Sequence, residues 1–287
     1  MKDIVLDTDA FNEIDDQFAI AYLLKNDALL HTEAIYAAPF SNALAATPEE
    51  GMEKSYNEIF KLLSLCEKEV PVYRVSNQYL SNENTPVESP AARDLIQRAL
   101  NHSKEDPLYV VAIGAITNVA SALLMEPKIA ENIEVVWLGG HAHHWHDTME
   151  FNMKQDFAAA RVVMGSTASF VQLPCRGVVS EFAVSEADLK ILLYDRNPLA
   201  DYLAKNTVLH MIERKKAGPI WSKPLWDVTA VAWLINDDNR FMRYYDIPVR
   251  LPEYNGVYGP ALDKKIKYIY TINRDVLLSH LVKVLTE

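Results

Sequence analysis

The sequence predicts an α/β fold, a mostly parallel central sheet covered by helices on both faces. Three observations point there. Short apolar runs alternate with segments whose apolar residues recur at helical spacing. The runs stop at Gly, Pro or acidic residues, where a strand would hand over to a loop. Nothing interrupts the alternation: there is no Pro/Gly/Ser-rich linker, low-complexity tract or internal repeat, so residues 1–287 are expected to form one domain.

In chain order, Ile4-Val5-Leu6 is a β-prone run that ends in acidic residues. From Asp16 to Leu24 the apolar positions Phe18, Ala19, Tyr22 and Leu23 fall on one helical face. Thr32–Ala38 reads as a second strand. Glu49–Leu65 reads as a helix, opened by Thr47-Pro48 as N-cap and first-turn residue. Leu108–Ile113 is a strand ended by Gly114, and Thr117–Met125 a helix stopped near Pro127. Ile133–Leu138 is a strand ended by Gly139-Gly140, Phe157–Met164 a helix, and Ser169–Leu173 a strand stopped by Pro174. Residues 181–224 are more polar and more helical, an excursion that carries part of a pocket. Leu225–Ile235 resumes a helical pattern, and Arg240–Ile272 contains β-prone pieces. Open α/β sheets bind ligands at the C-terminal ends of their strands. Asp7, Asp9, Asn42, Thr117 and the segment from His141 to Asn152 all fall at such ends.

Composition narrows the partners. A net charge of −11 argues against nucleic acid or an anionic membrane, both of which need a basic surface, but not against a small neutral substrate. Cys66 and Cys175 have no metal-type spacing and make no disulfide framework, which favours a reducing compartment. The first ten residues lack the apolar core of a signal peptide, and no run of 18 apolar residues occurs, so the expectation is a cytoplasmic, soluble protein.

The densest chemistry lies in VLDTDAFNEIDDQFA, where Asp7, Asp9, Glu13, Asp15 and Asp16 fall within ten residues. Crowded like charges repel, and a buried cluster of them needs a cation or shared protons. Hard oxygen ligands suit Ca²⁺ or Mg²⁺. An acidic first helical turn favoured by the helix dipole is the plainer explanation of Asp15 and Asp16.

D-x-D followed by D-D at the end of the first strand resembles the inosine–uridine-preferring nucleoside hydrolases. Three further segments resemble that family in the same order: VVAIGAITNVASALL, VVWLGG followed by MEFN, and LWDVTAVAWL. The resemblance implies a Ca²⁺ ion held by Asp9, Asp16, the Thr117 carbonyl and Asp227. It implies Asp9 as general base for the attacking water, and Asp15, Glu150 and Asn152 as ligands of the ribose hydroxyls, with Asp7 supporting the loop from behind. The implied reaction is hydrolysis of the N-glycosidic bond of a ribonucleoside by a homodimer or homotetramer.

The sequence departs from the family pattern at three places. Five residues, Ala10–Ile14, separate the second and third Asp where three are usual, which brings Asn12 and Glu13 to the mouth of the site. Trp226 stands where a His often precedes the last ligand. Asn42, in AAPFSN, is a shifted substitute for an Asn after the second strand. The HAHHWHD loop supplies His143 and His144 as candidates for a leaving-group acid, since His titrates near neutral pH. Two rival readings stand beside the hydrolase: an aspartate-dependent phosphohydrolase, which shares D-x-D after a first strand, and a non-catalytic riboside- or ADP-ribose-binding protein on the same fold.

Overall fold

A computed structural model of the chain describes residues 1–213, 218 and 220–287. In order the elements are β1 (Lys2–Thr8), α1 (Asp15–Lys25), β2 (Leu30–Ala37), α2 (Pro48–Cys66), β3 (Val72–Arg74), α3 (Pro90–Ala99), β4 (Leu108–Ala112), α4 (Thr117–Met125), β5 (Ile133–Leu138), α5 (Phe151–Gln155), α6 (Phe157–Gly165) and β6 (Ser169–Leu173). The chain continues through β7 (Ala183–Ser185), α7 (Glu186–Leu192), α8 (Pro198–Glu213), β8 (Ser222–Pro224), α9 (Val228–Trp233), β9 (Met242–Pro252), β10 (Tyr258–Ile272) and α10 (Arg274–Thr286).

Eight strands form one sheet in the order β3-β2-β1-β4-β5-β6-β10-β9. The pairs from β3 through β10 are parallel; β9 alone runs antiparallel, along β10. Successive side chains on a strand face opposite ways, and the sheet accordingly serves two cores. Ile4, Leu6, Ile35, Val111, Val136 and Val171 face one, with α1 and the C-terminal helices. Val5, Ala34, Tyr36, Val110, Val135 and Trp137 face the other, with α3, α4 and α6. This is the α/β arrangement that the alternating pattern predicts. Burial on both faces also explains why the strands read as continuous apolar runs.

The local rules hold where they were most explicit. Thr47 caps α2 by accepting from the Glu50 N–H, with Pro48 in the first turn. The region 240–272 becomes the long antiparallel β9–β10 pair. The 181–224 excursion is largely helical, through α7 and α8, but also holds a second sheet in which β7 and β8 pair antiparallel; its residues 214–217 and 219 lie outside the described residues. The helix predicted over Leu225–Ile235 is shorter, Val228–Trp233. Among the described residues no helix is long and apolar enough to cross a membrane.

Two features place the site. The strand order reverses between β1 and β4, which opens a crevice at their C-terminal ends. Helix α1, which leaves that crevice, is buried from Asp15 through Leu24 because α2, α8, α9 and α10 enclose it. Its acidic first turn therefore cannot be a solvated surface.

Close packing beside the crevice has a measurable consequence. A Cβ on Gly51 of α2 would sit 2.0 Å from the Phe40 carbonyl oxygen, a backbone atom that cannot swing aside. Gly51→Ala should lower the melting temperature, as an overpacking cost of about 1–3 kcal/mol outweighs a helix-propensity gain of at most ~1 kcal/mol. Thermal unfolding showing unchanged or higher stability would contradict this packing.

Candidate active site

At the C-terminal rim of the sheet lies a cleft of about 360 Å³. Asp9 enters it from the end of β1, Asp15 and Asp16 from the first turn of α1, Glu150 and Asn152 from the start of α5, and Asp227 from just before α9. Segments more than 200 residues apart in sequence thus meet at one point, as strand-end placement predicts.

The carboxylates are almost completely buried: Asp9, Asp15 and Asp16 are each 1% exposed, and Asp227 3%. The Thr8 hydroxyl donates to Asp16 Oδ1 at 2.6 Å, and the Asp227 N–H to Asp15 Oδ2 at 3.3 Å. Asp9 Oδ2 and Asp227 Oδ1 have no hydrogen-bond partner. Burial, then the repulsion of neighbouring carboxylates, holds Asp9, Asp16 and Asp227 well above the usual carboxylate range. Orphaned, buried oxygens of this type fit a hard divalent cation.

A second group of ligand-type side chains lies elsewhere. Asp3, Glu33 and His102 bring ligand atoms within 4.8 Å of one another. Those three are half-buried and already paired, Asp3 with His31 and Glu33 with Arg98 and His102. They form an ion-pair patch, whereas the cleft holds deeply buried carboxylates with free lone pairs.

The longer loop is anchored along its length. Ala10 and Ile14 are buried in the core, and the Phe11 N–H reaches Ser55 Oγ at 3.4 Å. Asn12 closes a turn onto the Asp9 carbonyl at 2.7 Å, and its Oδ1 accepts from Asn42 Nδ2 at 2.7 Å. Glu13 lies 3.2 Å from Lys223 Nζ and 3.4 Å from His210 Nε2. Asn12, Glu13 and Asn42 all line the cleft.

On the α5 side, Glu150 accepts from the N–H groups of Asn152, Met153 and Gly140 at 2.9–3.1 Å. The left-handed backbone of Gly140 (φ 75°) lets that turn close. Asn152 gives its amide protons to the Ile113 and Leu138 carbonyls at the ends of β4 and β5, so what it offers the cleft is its Oδ1. Opposite them, Trp226 presents its ring, its indole N–H being tied to Ser180 Oγ at 2.8 Å.

Four of the sequence candidates sit outside the cleft lining. Asp7 lies behind it, fully buried, with both carboxylate oxygens unbonded. Burial pushes its carboxyl up to about 8; the Asn118 amide faces it and partly offsets this without forming a hydrogen bond of normal geometry. The Thr117 hydroxyl turns to Asp156 at 2.7 Å. His143 is wedged between the rings of Tyr258 and Tyr268, each 4.6 Å away, and His144 packs against Gly177. The histidine of this loop that does line the cleft is His141. Its Nδ1 accepts from the Arg176 N–H at 3.3 Å, which leaves the proton on Nε2. Burial, with Arg176 nearby, holds its pKa down to about 4, so it is neutral at pH 7.

The sequence offers His141 only as one of four histidines in its loop, and does not single out Arg176, Lys154 or Lys223. Arg176 and Lys154 lie in or near the motif segments and could have been found by their proximity to strand ends. Lys223 carried no signal. It is a lone lysine on the short strand β8, yet its side chain is buried against Asp15 Oδ1 at 2.9 Å.

A family model described as inosine-uridine preferring nucleoside hydrolase matches residues 4–260. The chain is 27% identical over 263 residues to the pyrimidine-specific ribonucleoside hydrolase RihA of Shewanella sp. (strain ANA-3), covering 82% of this chain and 78% of that one. The fold is similar to that of a plant nucleoside hydrolase, the PpNRh1 enzyme, with a TM-score of 0.79 at 19% identity and 99% of each chain covered. It is also similar to that of the purine-preferring ribonucleoside hydrolase from Gardnerella vaginalis, with a TM-score of 0.77 at 19% identity, covering 99% and 98% of the two chains.

The buried carboxylates set a pH dependence of stability. A carboxyl whose folded pKa stands above its unfolded one keeps its proton longer when folded, so stability falls as pH rises between the two. For Asp7 that window runs from 3.8 to about 8, and Asp9, Asp16 and Asp227 act in the same direction. His141 and His143, both lowered from 6.5 to about 4, act oppositely, but only below pH 6.5. Lys264, lowered to about 8, opposes the fall only above that value. The melting temperature of metal-stripped protein should therefore drop between pH 6.5 and 8, and millimolar Ca²⁺ should reduce the drop by the share that Asp9, Asp16 and Asp227 contribute, leaving that of Asp7. A flat or rising profile without metal would contradict the assignment.

Proposed function

This chain belongs to the inosine–uridine preferring nucleoside hydrolase family, and on that premise we propose that it uses Ca²⁺ to hydrolyse the N-glycosidic bond of ribonucleosides, giving ribose and free base. The observation that carries the reading is the pair of orphaned, buried oxygens, Asp9 Oδ2 and Asp227 Oδ1, supplied to one cleft from opposite ends of the chain. Family membership sets aside the aspartyl phosphohydrolase reading of the D-x-D motif.

The residues that would hold the ion are Asp9, Asp16, Asp227 and the Thr117 carbonyl, all hard oxygen donors. When bound, a divalent cation supplies a Lewis acid that lowers the pKa of a water and grips sugar hydroxyls. The remaining chemistry falls to side chains. Asp9, presented to the cleft from the end of β1, takes the proton of the attacking water. Asp15 and the Asn152 Oδ1 accept from ribose hydroxyls, and Glu150 fixes the turn that presents Asn152. Glycosidic cleavage builds positive charge on the sugar, and surrounding carboxylates stabilise that charge as it develops.

The base side differs from a histidine-acid design. Trp226 fills the position before Asp227 with an aromatic wall whose N–H is already used. Neutral His141, through its Nε2–H, Arg176 and Lys154 are donors in the cleft lining. Such donors stabilise a departing base by hydrogen bonding, without an imidazolium to transfer a proton.

The test is a panel of inosine, adenosine, uridine and cytidine, scored for free ribose with Ca²⁺ and with chelator. It spans purines and pyrimidines because the similar proteins include both preferences. At least one riboside should be hydrolysed in a chelator-sensitive way, and Asp9→Asn should lower kcat about 10²–10⁴-fold with thermal stability retained. Near-normal turnover by Asp9→Asn would remove Asp9 as the base. Binding of ribosides without turnover would favour the non-catalytic reading.

A further inference from the structure

We propose that Lys223 is a positioning residue that holds Asp15 on the ribose hydroxyls, and that Glu13 of the lengthened loop is there to seat it. The proposal rests on the hydrolase reading above.

Lys223 comes from β8, in the excursion, and its side chain is buried. Its ammonium has three protons and three acceptors. Asp15 Oδ1 lies at 2.9 Å, Glu13 Oε2 at 3.2 Å, and the face of the Trp226 ring at 4.0 Å from its centroid. Nothing is left to donate to a substrate, and Lys223 is absent from the cleft lining that includes Asp15, Glu13 and Trp226. It acts through its neighbours.

Those neighbours explain why a lysine is needed. Asp15 adjoins Asp16 and Asp227 in a buried site, where a free carboxylate would be pushed from them by like charge. With Oδ1 held by Lys223 and Oδ2 by the Asp227 N–H, Asp15 has one orientation, and its remaining lone pairs point where the two bonds leave them. Burial alone would discharge Lys223, but the two carboxylates outweigh it and keep the ammonium charged. The extra loop length matters because it delivers Glu13 to the outer side of the same ammonium. The same atom set joins the β1–α1 loop to β8 and orders the Trp226 wall, so the sugar and base sides of the cleft share one brace.

The experiment is a double-mutant cycle on Asp15 and Lys223, read as kcat/KM for a riboside and for the 2′- and 3′-deoxyribosides of the same base, with thermal unfolding as a check. Lys223→Met should cut riboside kcat/KM about 10²-fold, the scale of misplacing one reacting contact. It should change the deoxyriboside lacking the Asp15-bound hydroxyl by less than ~3-fold. The preference for ribose then collapses. Asp15→Asn combined with Lys223→Met should match Asp15→Asn alone within ~3-fold, because Lys223 has no route to the sugar except Asp15. The double variant also leaves no unpaired buried charge on either side, so this comparison stands even if Lys223→Met alone does not fold. Equal losses on riboside and both deoxyribosides, or additive losses in the double variant, would overturn the proposal while leaving the hydrolase reading intact. Absence of turnover by the unaltered enzyme would overturn both.

Discussion

Like-charge repulsion between buried carboxylates is the constraint on which the rest of this structure depends. Asp9, Asp15, Asp16 and Asp227 crowd the crevice where the strand order reverses, and all are nearly inaccessible. A protein gains no stability from such an arrangement; each charge costs several kcal/mol to desolvate unless something compensates it. The fold answers from several directions. Thr8 donates to Asp16, the Asp227 backbone to Asp15, and Lys223 neutralises one unit of charge from the short strand β8. What remains uncompensated in the cleft is Asp9 Oδ2 and Asp227 Oδ1, neither of which has a partner. A divalent cation completes the account, and the same uncompensated charge suits the site to a sugar that turns cationic as its base leaves.

The scaffold exists to hold that conflict in place. Parallel strands buried on both faces aim their C-terminal ends at one rim. Helix α1 is enclosed by four other helices, so its first turn cannot relax toward solvent. Asn152 staples the ends of β4 and β5, and Glu150 clamps the glycine turn beside it. Rigid elements of this kind keep catalytic groups within the fraction of an ångström that transition-state stabilisation requires.

Much of this was legible in the sequence because each signal was local. Apolar runs marked the central strands, Thr47-Pro48 marked the start of α2, and D-x-D with D-D stood at a strand end. The cleft is lined by Asp9, Asp15, Asp16, Glu150, Asn152 and Asp227 from the motif segments, and by Asn12, Glu13, Asn42 and Trp226 from the places where the sequence departs from the family pattern. What escaped depended on tertiary context. β3 is three residues long and α3 is capped by Ser89 without a strong apolar run, so neither stands out from its flanks. Of the four histidines in HAHHWHD, sequence could not say which face the turn would present; the fold sends His143 between two tyrosines and His141 to the cleft. Lys223 was illegible for a deeper reason. A lysine is ordinarily a surface residue, and only the convergence of Asp15, Glu13 and Trp226 makes it a buried one.

If the cleft carboxylates are a cation site, Asp9, Asp16 and Asp227 keep protons until the ion arrives. Calorimetric titration of Ca²⁺ into metal-free protein at pH 7, repeated in buffers of different ionisation enthalpy, counts the protons released on binding. One ion per chain is expected, with release of protons as Asp9, Asp16 and Asp227 ionise, and loss of binding in Asp227→Asn. Absence of binding, or heats that do not change with the buffer, would contradict it.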